Sequence, residues 1–337
     1  MNPNLATEFL SALASDASVF PHQYALAPDQ LLLARIAVST LREASFLDER
    51  ILTRETQGVW VRADDAAAAA AALPAPRASY IFHSGHCGST LMSRLLGAAG
   101  DALALREPLP LRAFAFDRAE GGGAMLTIEK AKQRLALLEK LWARGASSVV
   151  VKATSICTGL AAELLPAEPR ALYISQKPDI HLAVLLAGPN AANDLRGFAQ
   201  MRWRRLNVQV PLPPLSGLST GELAALNWLA ETEAAARASL PVIDFDRLLT
   251  SPEETLVAAA SVLGVAAPGE KISAAVASPI MKKYSKAPEH DYDAQLRRDI
   301  IAEAQRNHAS DINKGMDWLA RLGAQHKTVK AVLDRWA

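Results

Sequence analysis

A short apolar run that breaks into a glycine-containing loop and then into a helical pattern is the feature that most constrains the fold of this chain. Residues 80–82 are apolar, residues 84–89 are mostly small, and Leu91, Leu95 and Leu96 recur at helical spacing. A strand that leads through such a loop into a helix directs backbone amides and the positive end of the helix dipole toward one point. The sequence therefore predicts a strand–loop–helix unit that binds a phosphate-like anion.

The loop differs from two common anion-binding loops. An ATP-binding loop has four residues between its glycines and a lysine after the second one, whereas Gly85 and Gly88 are two residues apart and Ser89 follows. The cation of this loop is instead His86. A cysteine phosphatase loop is also excluded, because six residues separate Cys87 from the next arginine and that motif requires five.

Short apolar runs alternate with helical patterns after residue 79. Strands are expected at 80–82, 102–105, 148–151, 171–175 and 242–245. Helices are expected to begin at Ser89, Thr127, Gly159, Asp179, Thr220 and Pro252. This alternation is typical of an α/β protein with a central parallel sheet between two layers of helices, a three-layer αβα arrangement.

The two ends of the chain show other patterns. Residues 5–52 are predicted to be helical with a turn at 20–22, and an alanine run at 66–72 followed by prolines marks a boundary. We therefore expect an N-terminal helical segment at 1–76 and an α/β domain at 77–337. From about residue 287 the domain continues as a helical tail.

Composition limits the classes of partner and compartment. The chain has 337 residues with 36 basic and 35 acidic side chains, which argues against nucleic acid as the main partner. It has two cysteines, no pattern of a secretory leader and no apolar run long enough to span a membrane. We expect a cytoplasmic protein with no membrane association. The histidines lie in no metal-ligand spacing, so no metal is expected.

Residues 85–91, Gly-His-Cys-Gly-Ser-Thr-Leu, resemble the donor loop of sulfotransferases that use 3'-phosphoadenosine-5'-phosphosulfate. That loop typically reads Pro-[Arg/Lys]-Ser-Gly-[Ser/Thr]-Thr-Leu/Trp. The resemblance extends over about residues 79–264 and, through its weakest match, to 286. It implies a P-loop α/β fold and transfer of a sulfuryl group from this donor to a hydroxyl or amine, without a metal. The donor-binding residues that it implies are Gly85, His86, Cys87, Gly88, Ser89 and Thr90.

The resemblance also implies catalytic residues. Glu107 follows the loop as a catalytic glutamate does in protein-tyrosine sulfotransferases, and it is the expected general base. Lys152 resembles the lysine at a strand end of cytosolic sulfotransferases, where the histidine base of those enzymes is replaced by Thr154. His86 and Lys152 are expected to neutralise charge on the reacting oxygens.

One subsite departs from the family. Its arginine and serine that hold the donor's 3'-phosphate are replaced by Gln176 and Val184. Substitutes are expected from Lys177, one residue out of register, and from a basic loop at 281–286. The lysines of that loop are Lys282, Lys283 and Lys286. Arg202, Arg204 and Arg205 are expected on a solvated helix face.

Two other functions stay open at this point. The missing 3'-phosphate pair favours a P-loop kinase or nucleotide hydrolase that uses ATP or GTP with Mg²⁺, whereas the missing lysine after Gly88 disfavours it. A non-catalytic nucleotide-binding protein is the other alternative. The expected partners are a nucleotide donor and a small-molecule or peptide acceptor that no motif identifies, and no motif specifies the oligomeric state.

Overall fold

The chain is described here by a computed structural model over residues 3–74, 78–121, 125–188, 190–287 and 289–336. Its strands are β1 (Val19–Ala25), β2 (Gln30–Arg35), β3 (Gly58–Arg62), β4 (Ser79–His83), β5 (Ala102–Arg106), β6 (Ser148–Lys152), β7 (Ala171–Ser175) and β8 (Val242–Asp244). Strands β4 to β8 form a parallel sheet in the order β5-β6-β4-β7-β8.

The helices of the first half are α1 (Pro3–Ala12), α2 (Val38–Glu43), α3 (Ala63–Ala69), α4 (Ser89–Ala99), α5 (Leu109–Gly121), α6 (Ile128–Trp142), α7 (Ala161–Leu164) and α8 (Pro178–Leu186). Those of the second half are α9 (Ala191–Gly197), α10 (Ala199–Asn207), α11 (Thr220–Arg237), α12 (Phe245–Thr250), α13 (Pro252–Leu263), α14 (Gly269–Ala277), α15 (Ala294–Asn307), α16 (Ala309–Gln325) and α17 (Lys327–Asp334). Short 3-10 helices span Glu49–Ile51, Ser155–Leu160, Leu215–Gly217 and Pro279–Lys282.

The parallel sheet is covered on both faces. Ile81 and Leu172 pack on one face in a cluster with Leu95 of α4 and Leu256 of α13. On the other face Tyr80, Phe82 and Leu105 belong to a second cluster. Strands β4 to β7 are buried on both sides and read as continuous apolar runs, which is why they could be predicted from the sequence. The edge strand β8 was also predicted, although its residues are only partly buried. The predicted α/β class with a parallel sheet between helices is confirmed.

The predicted N-terminal helices are wrong beyond α1 and α2. Strands β1, β2 and β3 form an antiparallel sheet, and the expected turn at 20–22 lies inside β1. Pro21 is accommodated because β1 is an edge strand and its pairing with β2 shifts between Pro21 and Gln23. Leu31 and Leu33 are buried in β2, so the buried residues here recur at every second position, as in a strand, and not at helical spacing.

The N-terminal sheet and the parallel sheet share one apolar core. Phe9 and Leu33 lie in the same cluster as Tyr80 and Leu105. The predicted boundary at Pro76 lies outside the described residues, since the description stops at 74 and resumes at 78. The alanine run forms α3 and ends before those residues.

The helical C-terminal region was predicted and is present as α15, α16 and α17. Trp318 and Trp336 pack with Leu182 of α8 and Trp228 of α11 in a third cluster. Arg297 of α15 contacts Gln176 and Asp246, so α15 lies beside the carboxyl ends of β7 and β8. Among the described residues, every helix is either too short or too polar to cross a bilayer.

Candidate functional site

The loop after β4 lies at the carboxyl end of the central strand, where the strand order reverses. The chain passes from β4 outward to β5 and back to β6, then crosses β4 to reach β7. Ligands of open α/β sheets bind at such a reversal. The loop has left-handed backbone conformations at Gly85, His86 and Gly88, with φ of 96°, 51° and 75°. It leads directly into α4, as the sequence predicted.

Gly88 is required by both conformation and space. A Cβ atom at this position would lie 2.0 Å from Cε2 of Phe245, the first residue of α12. The ring therefore packs directly on the loop backbone. Gly85 shares the positive φ, but a Cβ there would meet nothing within 4 Å.

The loop after β4 presents five consecutive backbone amides that are available to an anion. The backbone N–H groups of residues 86–90 donate no hydrogen bond to any part of the chain that the structure describes. Residues 86–88 precede α4 and residues 89 and 90 lie in its first turn, so the helix itself provides no acceptor. The Thr90 hydroxyl is also buried and has no hydrogen-bond partner among the described residues. Such a row of free donors at a helix N-terminus has the chemistry that phosphate or sulfate oxygens require.

His83 fixes the base of the loop. The Gly85 amide donates to His83 Nδ1 at 3.0 Å, and the opposite ring nitrogen, Nε2, donates to the Ala153 carbonyl at 2.8 Å. These two contacts require the neutral Nε2–H form of the ring. Burial holds the pKa of His83 well below its usual value, as do the charges of Lys152 and Lys286. His83 thus ties β4 to the residue after β6.

Cys87 has a structural position. Its thiol is fully buried and donates to the Ile174 carbonyl at 3.1 Å. Burial raises the pKa of this thiol, so it stays protonated and is unsuited to be a nucleophile. This agrees with the exclusion of a phosphatase loop.

Lys152 and Glu107 form an ion pair at the ends of β6 and β5. The Lys152 side chain is 0% exposed, that of Glu107 is 19% exposed, and Nζ contacts Oε1. The Glu107 amide also donates to the Lys152 carbonyl at 2.7 Å. Glu107 has a φ of 58°, an uncommon conformation for this residue type. The two residues that the sequence singled out are therefore in contact.

Lys286 brings a second ammonium group to this pair. It is half-buried and forms no ion pair with any residue that the structure describes. Burial lowers the pKa of Lys286 to about 8, and the neighbouring Lys152 charge adds to this effect. An unpaired, partly desolvated cation beside free amides increases the affinity of the site for an anion.

His86 is neutral in the protein, whereas the sequence predicted a cation. The charge of Lys286 lowers the pKa of His86 to about 3, together with the loss of water around the ring. The positive charge of the site therefore comes from lysines. His86 can still donate a ring N–H to a ligand oxygen.

The loop that carries Lys286 is held over the site by Arg94 of α4. Arg94 Nε donates to the Ser285 carbonyl at 2.9 Å, and Nη2 donates to Ser45 Oγ at 2.8 Å. Lys283 pairs with Asp291 at 2.7 Å, and Lys282 is exposed. Of the three lysines expected to close over the donor, Lys286 is thus the one whose charge acts on His86 and Lys152.

Gln176 is buried and holds an arginine that the sequence did not single out. Arg297 of α15 donates from Nη2 to Gln176 Oε1 at 2.8 Å and pairs through Nη1 with Asp246 at 2.6 Å. Its guanidinium lies 4.7 Å from the Phe245 ring centroid. Lys177 is exposed at the N-terminus of α8. A cation therefore lies beside Gln176, where the resemblance had indicated a missing one.

A buried polar network lies under the loop. Ser84 Oγ is 2.9 Å from Ser175 Oγ and 3.4 Å from His181 Nδ1. The Asn227 amide nitrogen donates to His181 Nε2 at 3.1 Å, and its oxygen accepts from Arg202 at 3.1 Å. Burial lowers the pKa of His181 to about 4, so this ring is neutral as well.

The same network corrects the expectation of a solvated arginine face. Arg202 is buried and donates to Glu231 at 2.8 Å, and Arg205 pairs with the other oxygen of Glu231 at 2.7 Å. Glu231 is itself fully buried in α11. Only Arg204 of the three is exposed. The error arose because the acidic partner lies on another helix, which local periodicity cannot show.

The described ranges contain no group of three or more His, Cys, Asp or Glu side chains arranged to hold a metal ion. No protein-family model matches the sequence, and no curated protein matches it.

One solved structure that aligns with this chain is the "Sulfotransferase Domain from the Curacin Biosynthetic Pathway". The alignment covers 69% of this chain and 98% of that domain, at 15% identity and a TM-score of 0.37. An alignment with this score assigns neither a fold nor an activity to the chain. The functional conclusions therefore rest on the contacts of the site itself.

Proposed function

We propose that the chain is a sulfotransferase with a P-loop fold, which transfers a sulfuryl group from 3'-phosphoadenosine-5'-phosphosulfate to a hydroxyl or amine acceptor. The observation that supports this most directly is the row of five free amides at residues 86–90, beside the Lys152–Glu107 pair and the unpaired Lys286. The amides would hold the 5'-phosphate of the donor, with His86, Ser89 and Thr90 at the same phosphate.

The same residues provide the groups that the reaction needs. The acceptor oxygen attacks the sulfur atom, and the bond between sulfur and the bridging oxygen of the 5'-phosphate breaks. Glu107 takes the acceptor's proton, while Lys152 and Lys286 stabilise the charge that develops on the bridging and leaving oxygens. The products are the sulfated acceptor and adenosine 3',5'-bisphosphate.

The donor's 3'-phosphate needs a cation near the end of β7. We propose Arg297 and Lys177 for this part of the site, because Arg297 is bonded to the Gln176 side chain and Lys177 follows it in sequence. Gln176 Nε2 is 3.5 Å from the His86 carbonyl, so the pair adjoins the loop. Lys282 and Lys283 remain outer candidates on the loop that carries Lys286.

Thermal unfolding in the presence of nucleotides tests the donor. Adenosine 3',5'-bisphosphate, ADP, ATP–Mg²⁺ and GTP–Mg²⁺ are compared at equal concentrations. At 100 times its dissociation constant a ligand adds about 2.7 kcal/mol of stability, which shifts the midpoint measurably. We expect the bisphosphate to give the largest shift, and Lys286→Gln to reduce it. Lys314→Gln, an exposed lysine on α16, is the matched control. Stabilisation by a triphosphate with Mg²⁺ alone would identify a kinase-like protein instead.

Glu107→Gln then separates catalysis from binding. The variant is expected to keep the midpoint shift with the bisphosphate and to lose about 10²–10⁴-fold in the rate of ³⁵S-sulfuryl transfer to a panel of phenols, alcohols and amines. Glu253→Gln, an exposed glutamate on α13, should transfer at the wild-type rate. A wild-type protein that binds the bisphosphate but labels no acceptor would support the non-catalytic alternative.

A further inference from the structure

The outer side of Glu107 is lined by a segment from the N-terminal region. Arg106 Nε donates to the Ala44 carbonyl at 2.6 Å, and the Leu47 amide donates to the Arg106 carbonyl at 2.8 Å. Residues 44–47 therefore run along the end of β5, the edge strand of the sheet. The Phe46 ring centroid lies 5.8 Å from Lys152 Nζ and 4.1 Å from the Arg50 guanidinium. This ring forms an apolar wall beside the Lys152–Glu107 pair.

A second aromatic side chain faces two arginines nearby. The Phe198 ring lies 5.9 Å from the guanidinium of Arg112 on α5 and 5.8 Å from that of Arg202. Its centroid is 6.1 Å from that of Phe116. Helix α5 begins two residues after Glu107, and Arg112 is its fourth residue.

Of the three arginines near these two rings, one has no acidic partner in the described ranges. Arg202 is neutralised by Glu231, and Arg50 is bound by Asp48, with Nε to Oδ1 at 2.8 Å. Arg112 is half-buried and makes neither a hydrogen bond nor an ion pair with any residue in the described ranges. Its charge contributes to the lowered pKa of Asp48, and Arg112 and Glu107 both act on the Cys157 thiol. Arg112 is thus a cation of α5 without an ion-pair partner in the described ranges, on the helix that begins two residues after Glu107.

Partial burial of an unpaired guanidinium is unfavourable unless an anion approaches it. The donor's 5'-phosphate would lie at the loop after β4, two strands inward from Glu107, where free amides and Lys286 provide the charge. Strand spacing puts these two places about 10 Å apart. The anion that matches Arg112 therefore belongs to the acceptor.

We propose that the acceptor carries an anionic group that Arg112 binds, and an apolar or aromatic body that lies against Phe46 and Phe198. The position of its hydroxyl at Glu107 rests on the proposed function, whereas the binding of its anion by Arg112 does not. A guanidinium binds a carboxylate through two parallel hydrogen bonds, which makes a hydroxyaryl carboxylate the simplest acceptor of this kind.

Matched acids and amides test this inference. The probes are 4-hydroxybenzoate, 4-hydroxyphenylacetate and 3-(4-hydroxyphenyl)propionate, each beside its neutral carboxamide, so that three distances between hydroxyl and anion are sampled. Binding is measured by calorimetry without the donor, and ³⁵S-sulfuryl transfer is measured with it. We expect at least one acid to bind about tenfold more tightly than its amide, as one charge-assisted contact provides.

Three variants identify the residue responsible. Arg112→Gln should reduce the ratio of acid to amide affinity to about one, and Arg112→Lys should retain part of it, because the charge remains without the fork geometry. Arg204→Gln, an exposed arginine on α10, should retain the wild-type ratio. Thermal unfolding with adenosine 3',5'-bisphosphate verifies that each variant is folded.

The outcomes are separable from those of the proposed function. Equal binding of acids and amides, binding of neither, or an acid preference that survives in Arg112→Gln would each overturn the inference about the acceptor. Loss of the bisphosphate shift in the wild-type protein would instead contradict the sulfotransferase proposal, while the calorimetric comparison without donor would still report on Arg112.

Discussion

At the scale of single residues, Lys286 determines the charge of its neighbours. Its ammonium is the main cause of the low pKa of His86, and its own pKa is lowered to about 8 by burial and by Lys152. The site therefore contains two lysines and a neutral histidine around one carboxylate. An anion that binds there stabilises the charged form of both ammonium groups and so raises the pKa of Lys286. At a pH where Lys286 is partly deprotonated, binding should therefore be accompanied by uptake of a proton.

This coupling predicts a pH dependence of donor binding. Lys286 is a cation mainly below pH 8 and loses its charge above it, so the affinity for adenosine 3',5'-bisphosphate should fall about tenfold from pH 7 to pH 9.5. Lys152, Glu107, Cys87 and Arg50 are the other groups that act on Lys286. The dissociation constant is measured by calorimetry across this range.

Lys286→Arg provides the control for the pH dependence. Arginine keeps its charge throughout this range, so the fall in affinity should largely disappear in this variant. Lys286→Gln should bind weakly at every pH. A wild-type affinity that stays constant to pH 9.5, or an unchanged fall in the arginine variant, would show that the lysine charge is not responsible.

At the scale of elements, the unit of β4, its loop and α4 was predictable because its information is local. The apolar strand, the glycines and the leucine spacing all lie within about twenty residues, and the structure has the same order. Lys152 and Glu107 lie at the same edge of the sheet, as their places at the ends of parallel strands predict, but no pattern in the sequence indicated their ion pair. The sequence did not predict which loop amides already donate a hydrogen bond within the chain. The Gly85 amide donates to His83 only because of the particular turn that the loop makes.

Elements that depend on distant partners were missed. Arg297 binds Gln176 across 121 positions of sequence, and nothing near either residue indicates the other. The strand β2 was mistaken for helix because Leu31, Leu32 and Ile36 also fit a period of 3.6. Arg202 was assigned to solvent because its acidic partner is on α11. In each case the structure of the residue or segment depends on a partner that is distant in sequence, which the local pattern of residues does not contain.

The loop makes a specific prediction for its two glycines. Gly85→Ala places a Cβ in open space, so only backbone strain of about 1–2 kcal/mol is expected. Gly88→Ala adds an overlap with the Phe245 ring and should cost clearly more stability and abolish the bisphosphate shift. Both are measured by urea unfolding and by thermal shift. Phe245→Leu in the Gly88→Ala background should recover part of the loss, and equal effects at the two glycines would contradict this account.

At the scale of the whole molecule, the N-terminal sheet is part of the main core. Because Phe9 and Leu33 pack in one cluster with Tyr80 and Leu105, residues 1–76 and 77–337 should unfold together. The sequence boundary at 76 therefore separates two patterns of sequence, and we propose that it does not separate two cooperative units.

Leu33→Ala tests this cooperativity. Leu33 is fully buried, so the variant should lose about 2–5 kcal/mol and should still show one calorimetric transition at a lower temperature. Val208→Ala, at a side chain that is 79% exposed, should leave the transition in place. A separate low-temperature peak in Leu33→Ala would indicate that the N-terminal sheet unfolds by itself.

The double contact of Arg94 has a consequence for how the protein is made. Arg94 joins Ser45 on one side and the carbonyl of Ser285 on the other, so the anion site is closed by segments from opposite ends of the chain. During synthesis the loop at 84–88 leaves the ribosome some two hundred residues before Lys286 does. A nascent chain can therefore build the strand–loop–helix unit early, but it acquires its second ammonium group only about two hundred residues later. Products that terminate between these two points would keep the amides and lack the charge, so we expect them to bind an anion more weakly than the whole chain does.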